Sequence, residues 1–97
     1  MNCKIVYLPE AKDDINEIRK YLSKFYPSTP KTFFALLKKR ISNLKQNPFI
    51  CQPYEKRPSY RRLVVNDYLV FYKVDESRHV VQIHRILHGS CDIGRYI

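Results

Sequence analysis

The hydrophobic period changes once along this chain, from that of a helix to that of a strand, and this change limits the fold more than any other feature. Ala11, Ile15, Ile18, Leu22 and Phe25 fall at helical spacing, leaving Lys12, Asn16, Arg19 and Lys20 toward water. Phe33, Leu37, Ile41 and Leu44 make a second such stripe, with Phe34 beside it. From Arg61 onward the period is two, in stretches rich in Val, Ile, Tyr and Phe that suit a pleated sheet.

Punctuation residues divide these stretches into elements. Residues 3–8 read as a short strand closed by Pro9. Pro9 and Glu10 then suit the first turn of a helix, where a missing N–H costs nothing and negative charge meets the dipole. Residues 26–30 break the pattern, and Thr29-Pro30 reads as N-cap and first position of the second helix, which Asn47-Pro48 stops. Residues 48–59 carry Pro48, Pro53 and Pro58 and read as a loop, too poor in donors for a central strand. Strands are expected over 61–65, 68–74 and 80–88, with Asn66-Asp67 as a tight hairpin turn and residues 75–78 as a second turn. The order strand–helix–helix–strand–strand–strand predicts an α+β fold, a helical hairpin packed on one face of a largely antiparallel sheet. The 97 residues are expected to form one domain, 1–97, without repeats or linkers.

Charge is concentrated rather than spread. Of the formal +9, residues 31–62 contribute nine basic groups against Glu55 alone, while 63–97 balance at four and four. A field of this kind attracts polyanions: nucleic acid, the ribosome, an anionic membrane or an acidic protein. The plainer reading is a solvated face that aids solubility. No apolar run approaches the roughly 18 residues of a membrane span, and the N-terminal apolar stretch is too short for a signal-peptide core. A cytoplasmic protein without a membrane partner is expected. Cys3, Cys51 and Cys91 are odd in number and far apart, as reduced thiols used for packing would be, rather than a disulfide framework or zinc ribbon.

Several chemistries find no support. Two glycines, Gly89 and Gly94, make neither a phosphate loop nor a dinucleotide fingerprint, and no Gly-x-Ser-x-Gly elbow exists. His84 and His88, four apart on a strand, would stand about 13 Å from one another, beyond the reach of one ion. No metal and no cofactor is expected. What remains is basic and aromatic: Lys56, Arg57, Arg61 and Arg62 on the loop and the strand it feeds, Arg85 and His88 on the last strand, Arg95 and Tyr96 beyond it. A metal-free ribonuclease could use such groups, with His88 and Tyr96 as acid and base and Arg61, Arg62 and Arg85 offsetting phosphate charge. Plainer roles compete. His88 beside Gly89 suits a strand-end hydrogen bond to the following turn. In the last strand Val81, Ile83, Arg85 and Leu87 would share the helix-facing side, making Arg85 a core-facing charge in need of a partner such as Asp92. A strand bulge would invert that assignment. Tyr68 and Tyr72 alternate at strand spacing and read as packing residues rather than base-stacking platforms.

The run Arg61-Arg62-Leu63, then Tyr68-Leu69-Val70-Phe71-Tyr72-Lys73-Val74, then Ile83-His84-Arg85-Ile86-Leu87-His88-Gly89 closing on Asp92-Ile93, resembles the C-terminal half of RelE/ParE toxins. Ala11 and Ile15 at the start of the first helix fit the N-terminal half, so the resemblance covers almost the whole chain. It implies the toxin of a type II toxin–antitoxin system, neutralised by a cognate antitoxin and acting in growth arrest or plasmid stabilisation. Within the superfamily, RelE-like members cleave mRNA on the ribosome and ParE-like members block DNA gyrase. Ribonuclease-type members often place Tyr directly after the Asp/Glu-Ile pair; here that position is Gly94, with Tyr96 two residues on. The Leu87-His88-Gly89-x-x-Asp92 form is closer to the ParE-like pattern, although Cys91 stands where Arg commonly precedes the Asp. The resemblance therefore implies a gyrase-directed toxin first. A ribosome-dependent endoribonuclease using Arg61, Arg85, His88 and Tyr96 comes second, and a degenerate member kept for antitoxin binding or autoregulation third. Lys56, Arg57, Arg61, Arg62 and Arg85 are the expected contacts to nucleic acid or target.

Overall fold

A computed structural model of the chain describes residues 2–25 and 28–97. Strand β1 (Lys4–Tyr7) leads into helix α1 (Pro9–Leu22), then helix α2 (Ser28–Ser42) and a 3₁₀ turn, Asn43–Lys45. Strands β2 (Pro53–Tyr54), β3 (Arg57–Val65), β4 (Tyr68–Asp75) and β5 (Val80–His88) follow, and a second 3₁₀ turn spans Ile93–Arg95. The five strands form one sheet in the order β1-β5-β4-β3-β2, antiparallel except for the β1/β5 pair. The α+β architecture expected from the change of period is the one observed.

Local chemistry explains most boundaries. Pro9 occupies the first turn of α1 with Glu10, and Arg19 and Lys20 meet the negative end of its dipole. Ala11 and Ile18 are buried, with Ile15 and Leu22 packed against the core. Phe25, expected on the same stripe, lies past the end of α1 and is 58% exposed, because the helix stops before the stripe does. Helix α2 begins at Ser28, so Thr29 and Pro30 lie inside its first turn rather than capping it; Tyr26 and Pro27 of the expected break fall outside the described residues. Phe33, Leu37, Ile41 and Leu44 are all buried, and the Phe33 ring meets Tyr68 of β4 at 5.0 Å, tying helix to sheet. Each fully buried aliphatic side chain of this layer contributes about 1.5–3 kcal/mol.

The proline-rich segment 48–59 is not all loop. It supplies β2 and the first residues of β3, making a fifth strand at the sheet edge, where Pro53 needs no ladder N–H. Asn66 takes a left-handed φ of 52° between the paired Val65 and Tyr68, as the two-residue hairpin requires. In β5 the alternation is broken. Tyr72 pairs with Ile83 but Phe71 pairs with Arg85, so His84 is an extra residue with nothing opposite it. Val81 and Ile83 face the helices; beyond the bulge Ile86 and His88 do so, paired with Val70 and Tyr68. Arg85 and Leu87 leave the helix-facing side, with Phe71 and Leu69, which inverts the assignment from strict alternation for these two residues; the Arg85 side chain then reaches round the sheet edge to α1.

Candidate functional site

The free edge of β5 follows from the short length of β1, which ends opposite Ile83 and leaves residues 85–88 without a neighbour on that side. Asp14, one turn into α1, fills the gap. Its carboxylate accepts from Arg85 Nε at 2.8 Å, from Arg85 Nη2 at 2.8 Å and from the Ile86 backbone N–H at 2.9 Å. One oxygen thus stands in for a strand carbonyl while both hold the guanidinium in a bidentate pair. The Asp14 hydrogen bond, more than any other contact, holds the Arg85 pKa above its usual value. The Tyr96 ring packs on the same guanidinium at 4.8 Å.

Around this pair lies an open groove of about 450 Å³. Ile18, Tyr21, Tyr68 and Leu87 give it apolar surface, and Asp14, Glu17, Arg85, His88, Cys91 and Tyr96 give it polar groups. His88 Nδ1 accepts the Ser90 backbone N–H at 3.1 Å and lies 2.7 Å from Ser90 Oγ, so its Nε2 is the nitrogen free to meet a ligand. The ring stands edge-on to Tyr68 at 5.1 Å. Gly89 donates to the Asp67 carbonyl at 2.8 Å, and a Cβ there would come within 3.3 Å of that oxygen, so the chain after His88 lies close on the β3–β4 turn. Burial, then the Asp92 charge, pushes the Cys91 thiol pKa up, which disfavours the thiolate needed by a nucleophile.

Strand alternation separates the remaining sequence-predicted residues. Arg61 lies opposite Tyr72, on the side of β3 facing the helices and the segment 48–52. Its Nη1 donates to the Cys51 carbonyl at 2.6 Å and its guanidinium covers the Phe49 ring at 4.9 Å. Tyr72, fully buried, donates from its hydroxyl to the Pro48 carbonyl at 2.8 Å, and burial with the adjacent Cys51 thiol drives its pKa well above the phenol range. Together they pin the proline-rich segment to the sheet. Arg62 points to the opposite face, beside Lys56 and Tyr54. Arg57 donates from Nη1 to the Ile97 carbonyl. The structure therefore brings Arg85, His88 and Tyr96 to one groove and sends Arg61, Arg62, Lys56 and Arg57 elsewhere.

Asp14 is the residue of this candidate site that the sequence does not single out; it, and not Asp92, partners Arg85. The available signal was a charge on a strand otherwise apolar, which demands a carboxylate without saying which one. His84 sits in the bulge with Nε2 buried and unpartnered, its ring edge-on to Tyr60 at 5.0 Å. Burial, then the charge of Lys73, lowers its pKa below 6.5. Among the described residues no group of three His, Cys, Asp or Glu side chains is arranged to hold a metal, and Cys3, Cys51 and Cys91 are free thiols. No helix of the described residues is long and apolar enough to cross a membrane.

The comparisons agree with this architecture. A chain of the chromosomal ParDE toxin–antitoxin system from P. aeruginosa superposes with a TM-score of 0.76 at 19% identity, covering 89% of this chain and 95% of that one. A chain of the RelBE2 toxin–antitoxin complex from Mycobacterium tuberculosis gives 0.66 at 17% identity, covering 91% and 99%. At such identities the likeness is one of fold. No curated protein sequence matches significantly. The model of the ParE toxin of the type II toxin–antitoxin system parDE matches residues 5–93, which spans β1 through the start of the last 3₁₀ turn. The chain belongs to the ParE toxin family of type II toxin–antitoxin systems.

Proposed function

We propose that this chain is a cytoplasmic, growth-inhibiting toxin of the ParE type, directed at DNA gyrase and held inactive by a cognate antitoxin. The observation that carries the reading is the family match over residues 5–93. The engagement of Arg85 supports it: a guanidinium neutralised by both oxygens of Asp14 through Nε and Nη2 keeps only its remaining donors, chiefly on Nη1, for a phosphate. Gly94, where nuclease-type relatives of the superfamily often carry tyrosine, points the same way. The toxin would then act by occupying a protein surface rather than by catalysis.

The antitoxin would bind the β5 groove as an extended segment. The apolar surface of Ile18, Tyr21, Tyr68 and Leu87 receives hydrophobic anchors, the part of the β5 edge beyond the Ile86 N–H that Asp14 occupies offers backbone to an extended segment, and the net positive charge of the chain draws an acidic segment toward it at long range. The relatives whose folds match were solved as parts of toxin–antitoxin systems, which supports a partner of this kind.

One observation favours a second reading. Arg85, His88 and Tyr96 line the same groove, the arrangement a ribosome-dependent endoribonuclease would need for charge neutralisation and proton transfer. Induction of the chain without its antitoxin separates the two. The gyrase reading expects filamentous cells with damaged DNA, and inhibition of supercoiling by purified toxin and gyrase. Prompt translation arrest with mRNA cut at codon positions, lost in Arg85→Ala or Tyr96→Ala, would overturn it in favour of the nuclease. Unimpaired growth would leave a member retained only for antitoxin binding or autoregulation.

A further inference from the structure

Strand alternation leaves a second set of cations outside the β5 groove, on the helix-free face and along the β2–β3 edge. Arg62 lies 6.0 Å from the centre of the Tyr54 ring, Arg57 5.4 Å from that of Tyr60, and Lys73 4.5 Å from Tyr60. The ion pairs among the described residues join Lys20 to Glu17, Arg78 to Asp75 and Arg85 to Asp14, so Lys56, Arg62 and Lys73 belong to none. Tyr54 is held edge-on at 5.0 Å against the fully buried Phe71, which fixes its ring as a platform. Gln52, Tyr54, Glu55, Lys56, Arg62 and Val64 line a groove of about 500 Å³ at this edge, where Val64 is 47% exposed.

We propose that the β2–β3 groove binds single-stranded nucleic acid, taking a base against Tyr54 and Val64 and the adjoining phosphates on Arg62 and Lys56. At 6.0 Å from the Tyr54 ring centre and in no ion pair, the Arg62 guanidinium lies beside the ring without covering it, and its donors stay free for a phosphate. A phosphate therefore displaces no carboxylate on arrival. A fixed ring beside those donors rewards a flat base, which an acidic peptide cannot supply. Glu55, the one acidic group in the lining, opposes carboxylates and phosphates alike and does not favour the peptide. Strand addition by a protein is disfavoured at this edge, since β2 is two residues long and Pro53 has no N–H to offer. A duplex fits poorly because its bases are stacked inward, away from Tyr54, and the groove presents no helix or ribbon to enter a major groove. The site goes beyond the gyrase reading and does not depend on it.

The test uses the full chain and labelled single-stranded DNA and RNA probes of about 10 nucleotides, read by fluorescence anisotropy. Wild type should bind single strands more tightly than the same sequence as a duplex or an acidic peptide of equal length. Lys56→Ala with Arg62→Ala should weaken binding at least tenfold and flatten the salt dependence by about 1.4 in slope, the loss of two phosphate contacts. Lys38→Ala with Lys39→Ala removes equal charge from α2 and should weaken it less than about threefold. Lys56 and Arg62 are exposed, and an unchanged thermal unfolding midpoint verifies that their replacement leaves the fold intact. Preference between DNA and RNA names the source of the strand and supports the site either way. Equal weakening by both double variants, or tighter binding of the duplex or the peptide, would overturn it. Gyrase is absent from this assay, so its failure leaves the supercoiling result untouched.

Discussion

Replacing Asp14 by Ala tests the β5 edge most directly. The substitution removes an acceptor of three hydrogen bonds at 2.8, 2.8 and 2.9 Å and strands both a guanidinium and a backbone N–H. Breaking a buried ion pair from one side costs about 3–5 kcal/mol. The side chains of Arg85 and Asp14 are 20% and 12% exposed, so water recovers part of the loss and the low end, about 3 kcal/mol, applies. For a domain of this length that corresponds to a fall in Tm of about 12–24 °C. Asp14→Asn keeps one acceptor oxygen and should cost about half as much. A double-mutant cycle with Arg85→Ala, followed by urea unfolding, should return a coupling of about 2 kcal/mol, since the two residues share one network. A loss below about 0.5 kcal/mol for Asp14→Ala, with coupling near zero, would refute the argument; water would then serve the edge as well as the carboxylate does.

Two other expectations concern groups away from the groove. His84 has a folded pKa below its unfolded value of 6.5, so the unfolded chain binds the proton first as pH falls. The stability that this difference supplies is complete above the unfolded pKa and is lost as pH falls through the folded one. Between about pH 7 and pH 5 wild type should therefore lose more stability than His84→Gln, and equal losses would remove His84 as the cause. Tyr72→Phe deletes the hydroxyl that holds the Pro48 carbonyl and should cost about 1–2 kcal/mol, with faster amide exchange in residues 49–52; unchanged exchange there would mean that Arg61 alone pins the segment.

Legibility from sequence tracked the range of the interaction. The two helical stripes, the first only as far as Leu22, the Pro9 start, the Asn66-Asp67 turn and the strand at 80–88 are decided by neighbours a few residues apart, and the structure contains each of them. The α+β class is legible before any coordinates, because burial of one apolar stripe per element leaves few ways to stack them, whereas the family resemblance rests on the particular residues of 61–93. Strand β2 carries no signal that separates it from a loop, since two residues have no period and their pairing depends on where β3 passes.

The site itself was decided by tertiary structure. Arg61 and Arg62 are adjacent in sequence and look like one cluster, yet the pleat sends them to opposite faces of the sheet. The extra residue His84 carries no mark in the sequence, and it moves Ile86 into the core and Arg85 to the edge. Asp14 meets Arg85 across 71 positions of chain, a pairing set by how α1 crosses β5 and by β1 ending at Tyr7. The sequence determined which residues had to be buried and in what kind of element. Only packing determined which charges would meet, because side chains distant along the chain are brought together by the register of the sheet and the placement of the helices, and neither is written locally.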